Sequence, residues 1–220
     1  MHKLIRMKKD TRLILALDLT DRERALSLAR ELDGLFDAIK VGYPLILRAG
    51  LDVVGEISKV SPVIADLKVA DIPNTNRLIC DAVLDAGASA VIAQAFPGRD
   101  SLIACASSAN EHGSELFVVT EMSHPGAKMF MAPQAEEMAR LAAEVGAAGV
   151  VAPATRPDRI RLIRSIIGQM LIISPGVGAQ GGSPAEALQA GADYLIVGRS
   201  VYGSEDPARA AQELLSSLQP

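Results

Sequence analysis

Residues 13–21 read Leu-Ile-Leu-Ala-Leu-Asp-Leu-Thr-Asp, an apolar run of five residues that ends at Asp18. A short run rich in Leu and Ile predicts a β-strand that is covered on both faces, as strands of a parallel sheet are. The turn after it is acidic, whereas a dinucleotide-binding fold opens with a glycine-rich turn at this position. This stretch therefore indicates a parallel β/α protein whose first loop does not bind a dinucleotide.

Similar apolar runs recur at a nearly regular interval, and a longer segment with helical periodicity follows each of them. The runs span residues 13–17, 36–40, 62–66, 89–93, 115–120, 149–152, 171–174 and 194–197. Eight such units favour closure of the sheet, so we predict the α/β class and a single (β/α)8 TIM barrel. A doubly wound open sheet is the alternative, but its fingerprint after the first strand is missing.

Length and composition indicate one domain, and we predict that residues 1–220 form a single catalytic barrel domain. The chain is 49% hydrophobic and 22% charged, close to the average of globular proteins. Residues 1–11 are basic but lack the apolar run of a signal peptide, so we predict a flexible N-terminal lead-in. No stretch reaches the roughly 18 apolar residues of a membrane span, and we expect no membrane partner.

Charge and aromatic content argue against a nucleic-acid partner. The net charge is −4, and the chain has three tyrosines, four phenylalanines and no tryptophan for base stacking. Cys80 and Cys105 fit no metal or redox spacing, which predicts buried reduced thiols and a cytoplasmic location. No metal-ligand set is recognisable in the sequence, so we expect no metal site.

Charged residues end the first three predicted strands, at the edge where the active sites of β/α barrels lie. Asp18 ends the first strand, Lys40 the second and Asp66 the third, with Lys68 two residues further on. Neighbouring strands lie about 4.8 Å apart, so these groups can converge. Asp71 extends the alternation, and mutual pairing would keep Lys68 protonated as a general acid. Each charge alone fits a solvated strand end, and Asp71 fits a helix N-cap equally well.

Glycine-rich loops follow the seventh and eighth predicted strands. Residues 174–182 read Ser-Pro-Gly-Val-Gly-Ala-Gln-Gly-Gly, and residues 198–200 read Gly-Arg-Ser. Phosphate sites of β/α barrels form at these two loops, because exposed backbone N–H groups favour an anion. Glycine also simply makes turns, but two such loops together with the forked cation of Arg199 predict a phosphate-ester substrate.

The segment from Glu121 to Pro133, after the fifth predicted strand, is too long and too apolar for a plain connector. A lid is the natural interpretation of such a segment. Ser123 and His124 lie within it without an acidic partner at triad spacing, so a Ser-His nucleophile is not expected. We instead predict that Ser123 donates or accepts a hydrogen bond to a substrate.

Residues 66–75, Asp-Leu-Lys-Val-Ala-Asp-Ile-Pro-Asn-Thr, resemble the DxKxxDIPxT signature of the orotidine 5′-phosphate decarboxylase family in its compact archaeal-type form. Residues 40–44, 121–126 and 174–182 are similar to other characteristic segments of that family, and the resemblance spans about residues 12–218. The metal-dependent hexulose-phosphate synthases share the barrel and the DxKxxD core. The Ile-Pro-x-Thr continuation matches the decarboxylases.

The resemblance implies decarboxylation of orotidine 5′-monophosphate to UMP and CO₂, the last step of de novo pyrimidine nucleotide biosynthesis, without a cofactor. Lys68 would be the proton donor, Asp66 would lie beside the scissile carboxylate, and Lys40 would complete the charged network. Asp71 and Thr75 would reach into the neighbouring subunit's site, because the family's active sites form across a homodimer interface.

The implied substrate-binding residues are Asp18, Lys40, Thr75, Ser123, Pro175, Gln180, Gly198 and Arg199. Asp18 and Lys40 would bond the ribose hydroxyls, and Ser123 the pyrimidine ring. Gln180, Gly198 and Arg199 would bind the phosphate and the lid. Archaeal members often have His-x-Phe-x-Gly after the fourth strand, whereas residues 94–98 here read Gln-Ala-Phe-Pro-Gly, so no role is carried over to Gln94.

Two competing functions come from other classes of protein. A metal-dependent phosphosugar lyase or aldolase on the same barrel would lose activity with EDTA. A non-catalytic binder of a phosphate ligand would have little reason to keep opposed buried charges, which cost stability.

Overall fold

The computed structural model describes residues 9–178 and 180–218 of the chain. Within these residues, eight parallel strands form a closed barrel in chain order, with the last strand paired to the first. The strands are β1 (Leu13–Leu17), β2 (Ala38–Gly42), β3 (Val63–Val69), β4 (Ala90–Gln94), β5 (Glu115–Val119), β6 (Gly149–Val151), β7 (Leu171–Pro175) and β8 (Tyr194–Val197).

Helices connect the strands along the outside of the barrel. The α-helices described are α1 (Arg22–Glu31), α2 (Tyr43–Ala49), α3 (Asp52–Ile57), α4 (Pro73–Asp85), α5 (Arg99–Glu111), α6 (Ala127–Phe130), α7 (Ala135–Glu144), α8 (Pro157–Ile167), α9 (Pro184–Gln189), α10 (Arg199–Tyr202) and α11 (Pro207–Leu218). A 3₁₀ turn, Ala132–Gln134, lies between α6 and α7. In the described part of the chain, no helix has the length and apolar character needed to cross a membrane.

The closed barrel confirms the predicted fold and rules out the open, doubly wound sheet. Leu13 pairs with Leu195 and Leu15 with Val197, which joins β1 to β8 and leaves neither strand as a sheet edge. Each predicted apolar run overlaps one strand. The largest difference is in β3, which continues three residues past Asp66.

Side chains of the strands point alternately into the barrel and toward the helices. Ile64, Phe117 and Ile173 belong to the cluster that fills the interior, whereas their strand neighbours pack in the larger outer cluster. Burial on both faces explains why the strands read as continuous apolar runs. The same alternation carries Asp66, two residues after Ile64, to the inward face at the carboxyl end of β3.

Residues 9–12 are fastened to the bottom of the barrel. The backbone N–H groups of Asp10, Thr11 and Arg12 donate to the carboxylate of Asp37, and Lys9 forms a 2.6 Å ion pair with Asp193. Residues 1–8 of the predicted lead-in lie outside the described residues. The extent of the single domain, residues 1–220, stays a prediction.

Candidate active site

A cavity of about 470 Å³ opens at the carboxyl ends of the strands. The predicted site residues that line it are Asp18, Lys40, Asp66, Lys68, Ser123, Pro175, Gln180, Gly198 and Arg199. They come from the carboxyl ends of β2, β3 and β7 and from the segments that directly follow β1, β5, β7 and β8. The barrel therefore brings together residues that are far apart in the sequence, at the face where barrel enzymes place their chemistry.

Four charged side chains form a chain of ion pairs on one wall of this cavity. Lys40 Nζ lies 3.2 Å from Asp18 Oδ1 and 3.0 Å from Asp66 Oδ2. Lys68 Nζ lies 2.8 Å from the other oxygen, Asp66 Oδ1. Lys40 and Asp66 are buried, with side chains 8% and 9% exposed, whereas Lys68 is 37% exposed and faces the opening. Asp66 is thus a buried carboxylate shared by two ammonium groups.

Burial and neighbouring charges act in opposite directions on the pKa values of Lys40 and Asp66. For Lys40, desolvation is the largest single effect and lowers the pKa, but Asp66 and Asp18 together hold the pKa above its ordinary value. For Asp66, desolvation is again the largest effect and raises the pKa, yet Lys40 and Lys68 together bring the pKa below its ordinary value. Both groups are therefore charged at neutral pH.

An irregularity in β3 sets the direction of Lys68. Ala65 pairs with Val91 and Val69 with Ala93, so β3 is two residues longer than β4 between these pairs. Lys68 lies inside this bulge with a positive φ of 44°, a left-handed conformation that costs a residue other than glycine about 1–3 kcal/mol. Such strain is kept where the surrounding structure requires it, and here it accompanies the contact between Lys68 and Asp66.

Asp71 and Thr75 do not line the cavity of their own chain. The Asp71 carboxylate is exposed and accepts a 2.7 Å hydrogen bond from the N–H of Ile72. Its backbone is held firmly, since its N–H donates to Asn76 Oδ1 and its carbonyl accepts from Ser101 Oγ. Ile72 is the N-cap residue of α4, so the alternative role of Asp71 as the helix N-cap is wrong.

The loop after β7 folds back on itself beside the cavity. Gly176 and Gly178 have φ angles of 99° and 70°, which only glycine adopts readily. The N–H of Gly182 donates to Gly176 O at 2.9 Å, and the N–H of Gly178 donates to Gly182 O at 3.3 Å. Ala179, in the middle of this loop, lies outside the described residues. The glycine-rich sequence therefore reflects specific backbone conformations of this loop, and not merely the general preference of turns for glycine.

Arg199 and Gly198 border the same side of the cavity. Arg199 begins α10 directly after β8, and its side chain is exposed on the rim. It takes part in no ion pair within residues 9–178 and 180–218. A cation at this position is available for an anionic ligand.

The floor of the cavity is apolar, and sequence reasoning missed it. It is formed by Ile92, Val119, Val151 and Ile196, inward-facing residues near the carboxyl ends of β4, β5, β6 and β8. Period-two alternation along each strand is the signal that could have identified them. An apolar floor beside a charged wall fits a ring with one ionic substituent. Among the described residues, no group of three or more His, Cys, Asp and Glu side chains could hold a metal ion.

The barrel and its charged, concave rim define a β/α-barrel enzyme. Residues 11–214 match the profile of the Orotidine 5'-phosphate decarboxylase / HUMPS family, and the chain belongs to this family. The orotidine 5'-phosphate decarboxylase of Methanococcoides burtonii is 59% identical over 213 residues, which are 96% of this chain and 99% of that protein. The enzyme of that name from Methanosarcina acetivorans is 59% identical over 214 residues, 97% of each chain.

A solved structure supports the same family assignment. Orotidine 5'-monophosphate decarboxylase of Methanocaldococcus jannaschii, complexed with inhibitor BMP, superposes with a TM-score of 0.91 and 42% identity, covering 94% of this chain and 98% of that one. Identity at this level over nearly the whole length assigns the chain to the decarboxylases of the family.

The ion-pair chain predicts a specific pH dependence of stability. The pKa of Asp66 is below its ordinary value of 3.8 in the folded protein, so the stabilisation is complete above that pH and is lost as the pH falls through the folded-state pKa. We expect Asp66→Asn to lower the free energy of unfolding by about 3 kcal/mol at neutral pH, because it leaves Lys40 poorly compensated. The deficit should shrink as the pH falls below 3.8.

Urea unfolding at a series of pH values measures this effect. Asp33→Asn, at an exposed position after α1, is the matched control and should show no deficit at any pH. A deficit for Asp66→Asn that stays constant down to about pH 3 would contradict the assigned charge state.

Proposed function

We propose that this chain removes the carboxyl group of orotidine 5′-monophosphate to give UMP and CO₂, the last step of de novo pyrimidine nucleotide synthesis. The observation that carries the proposal is the Lys68 ammonium, 2.8 Å from Asp66 and open to a cavity with an apolar floor. Family membership and the names of the relatives support the same reaction. The reaction and the two free buried thiols also fit a cytoplasmic location.

The chemistry needs positive charge close to one carbon atom. When the bond from C6 to the carboxylate breaks, its electron pair stays in an sp² orbital of C6 that the ring cannot delocalise, and CO₂ leaves. The ammonium of Lys68 stabilises this carbanion and then transfers a proton to C6, and the neutral amine regains its proton from solvent. The net change at C6 is the loss of CO₂ and the gain of a proton, so we propose that no cofactor takes part.

Asp66 and Lys40 prepare Lys68 for this role. Asp66 accepts from Lys68 through one oxygen and from Lys40 through the other, so the carboxylate holds the ammonium in a fixed direction. Asp18, paired with Lys40 on the exposed side, is proposed to bind the ribose hydroxyls together with Lys40.

The loops after β7 and β8 are proposed to bind the phosphate. Gln180, Gly198 and Arg199, from the loops after β7 and β8, line the same cavity as the charged wall. Ser123 and Pro175 also line the cavity, and we propose that Ser123 bonds the pyrimidine ring. Binding energy from the phosphate would then close the loops over the reacting ring, so that remote contacts serve the transition state.

The partner subunit is proposed to complete the site. Asp71 and Thr75 stay outside their own cavity, while Asp71 is held rigidly on the surface. Four large apolar side chains are exposed just before α4, on α4, on α5 and in the loop after β4: Ile72, Leu78, Ile103 and Phe96. Apolar patches of this kind mark protein interfaces. A homodimer that buries this face would bring Asp71 of one chain to Lys68 of the other and complete the Lys-Asp-Lys-Asp network.

Replacement of Lys68 tests the reaction. We predict that Lys68→Ala lowers kcat for orotidine 5′-monophosphate by more than about 10⁴-fold, because one side chain supplies both the electrostatic stabilisation and the proton. Absorbance of the substrate measures turnover, and calorimetry with UMP should show that ligand binding persists. Lys59→Ala, at an exposed lysine after α3, is the control and should retain full activity. Substantial turnover by Lys68→Ala would reject the assignment.

Replacement of Arg199 tests the phosphate site. We expect Arg199→Ala to weaken UMP binding by about 10- to 100-fold, since a charge-assisted pair is lost, and to leave uridine binding nearly unchanged. Arg161→Ala, at an exposed arginine of α8, should change neither affinity. Equal weakening of UMP and uridine by Arg199→Ala would place the phosphate elsewhere.

Mixing two inactive variants tests the shared site. Lys68→Ala and Asp71→Asn should each be inactive, but a mixed dimer contains one site with both native residues. After subunit exchange, a one-to-one mixture should recover about a quarter of the activity of the native protein. Exchange is verified by mass spectrometry with differently labelled chains. Mixed dimers without recovered activity would show that Asp71 does not act in the partner's site.

A further inference from the structure

Glu121 is a buried carboxylate directly after β5, with only 1% of its surface exposed. Arg159 Nε donates to its Oε2 at 2.8 Å, and Arg156 Nη1 lies 3.2 Å from its Oε1 as an ion pair without hydrogen-bond geometry. Both arginines are largely buried as well. An unpaired charge in such a place is costly, so the three side chains depend on one another.

The same two arginines hold the backbone of the segment that follows Glu121. Arg156 donates through Nη2 to the carbonyl of Met122, at the start of the 121–133 segment. Arg159 donates through Nη2 to the carbonyl of Ala132 at 3.0 Å, at the end of that segment. Both arginines lie at the start of α8, so the N-terminus of one helix holds both ends of the segment.

The segment places two residues at the cavity. Met122 and Ser123 come directly after Glu121 and line the cavity, to which the loop after β7 also contributes. A Cβ atom at Gly176 of that loop would lie 3.3 Å from Ser123 Cβ, so the fit between the two loops is close. A small displacement of Ser123 would therefore change the shape of the cavity where the ring is proposed to bind.

We propose that Glu121 is a positioning residue for the reaction: it holds Arg156 and Arg159 on the two ends of the 121–133 segment and so fixes Met122 and Ser123 at the substrate. Glu121 does not line the cavity and acts only through these neighbours. The role in catalysis rests on the proposed function. The role in fixing the segment does not depend on it and can be measured by itself.

The first arm of the test is independent of activity. Glu121→Gln keeps the shape of the side chain and removes its charge. Amide hydrogen exchange in residues 121–133 should become faster by a larger factor than exchange in the strands. The control is Glu137→Gln, which removes an exposed ion pair with Arg140 on α7 and should leave the segment unchanged. If amide hydrogen exchange in the segment is as slow in Glu121→Gln as in the native protein, the proposal is overturned.

The second arm measures catalysis. We expect Glu121→Gln to lower kcat/KM for orotidine 5′-monophosphate by about 10- to 100-fold, the loss typical of a displaced binding group. Combined with Ser123→Ala, the loss should be much smaller than the product of the two single losses, because Glu121 acts through Ser123 and its neighbour. Multiplicative losses would mean a general structural role and would overturn the proposal.

A second variant keeps the test decisive if Glu121→Gln does not fold. Arg159→Lys retains the charge but cannot bond both Glu121 and Ala132 in the same way. It should reproduce the faster exchange and the reduced kcat/KM, and native values for both would overturn the proposal.

If the wild-type protein does not decarboxylate orotidine 5′-monophosphate, the proposed function fails, and the exchange measurement still decides whether Glu121 fixes the segment.

Discussion

The site depends on one buried carboxylate that is bonded to two ammonium groups. Asp66 has almost no access to water, and a lone carboxylate there would take up a proton or cost several kcal/mol. Lys40 and Lys68 prevent this, and each of them gains a fixed position from the same carboxylate. Electrostatic catalysis needs such an arrangement, since charges that are oriented before the reaction need no reorganisation during it.

The barrel supplies this arrangement through its strand order and one local defect. Parallel neighbours in chain order put Lys40 and Asp66 at the carboxyl ends of β2 and β3, and Asp18 directly after the neighbouring β1. A regular β3 would carry the next inward side chain two residues further up, away from Asp66. The bulge and the left-handed backbone of Lys68 keep its ammonium beside Asp66 instead. Stability is given up at one residue so that the charge points at the cavity.

Much of the fold and part of the candidate site could be predicted from the sequence, because the signals for them are local. Apolar runs marked the eight strands, and the residues that end them marked Asp18, Lys40 and Asp66 as neighbours. The bulge at Lys68 could not be predicted, since its cause is the pairing of β3 with β4, a non-local contact. The same holds for Glu121, whose partners Arg156 and Arg159 are distant in sequence and meet it only after β5 and β6 pair. Asp71 was expected in the charged network, and within one chain its carboxylate stays apart from it.

A crystal structure of the protein with UMP bound would test the central claim most directly, because it locates C6 relative to Lys68. The account predicts that Lys68 Nζ lies about 3 Å from C6, still bonded to Asp66, with Asp71 of the partner subunit beside the same ammonium. A structure in which C6 faces another group, or in which a divalent ion lies among the carboxylates next to Lys68, would contradict it.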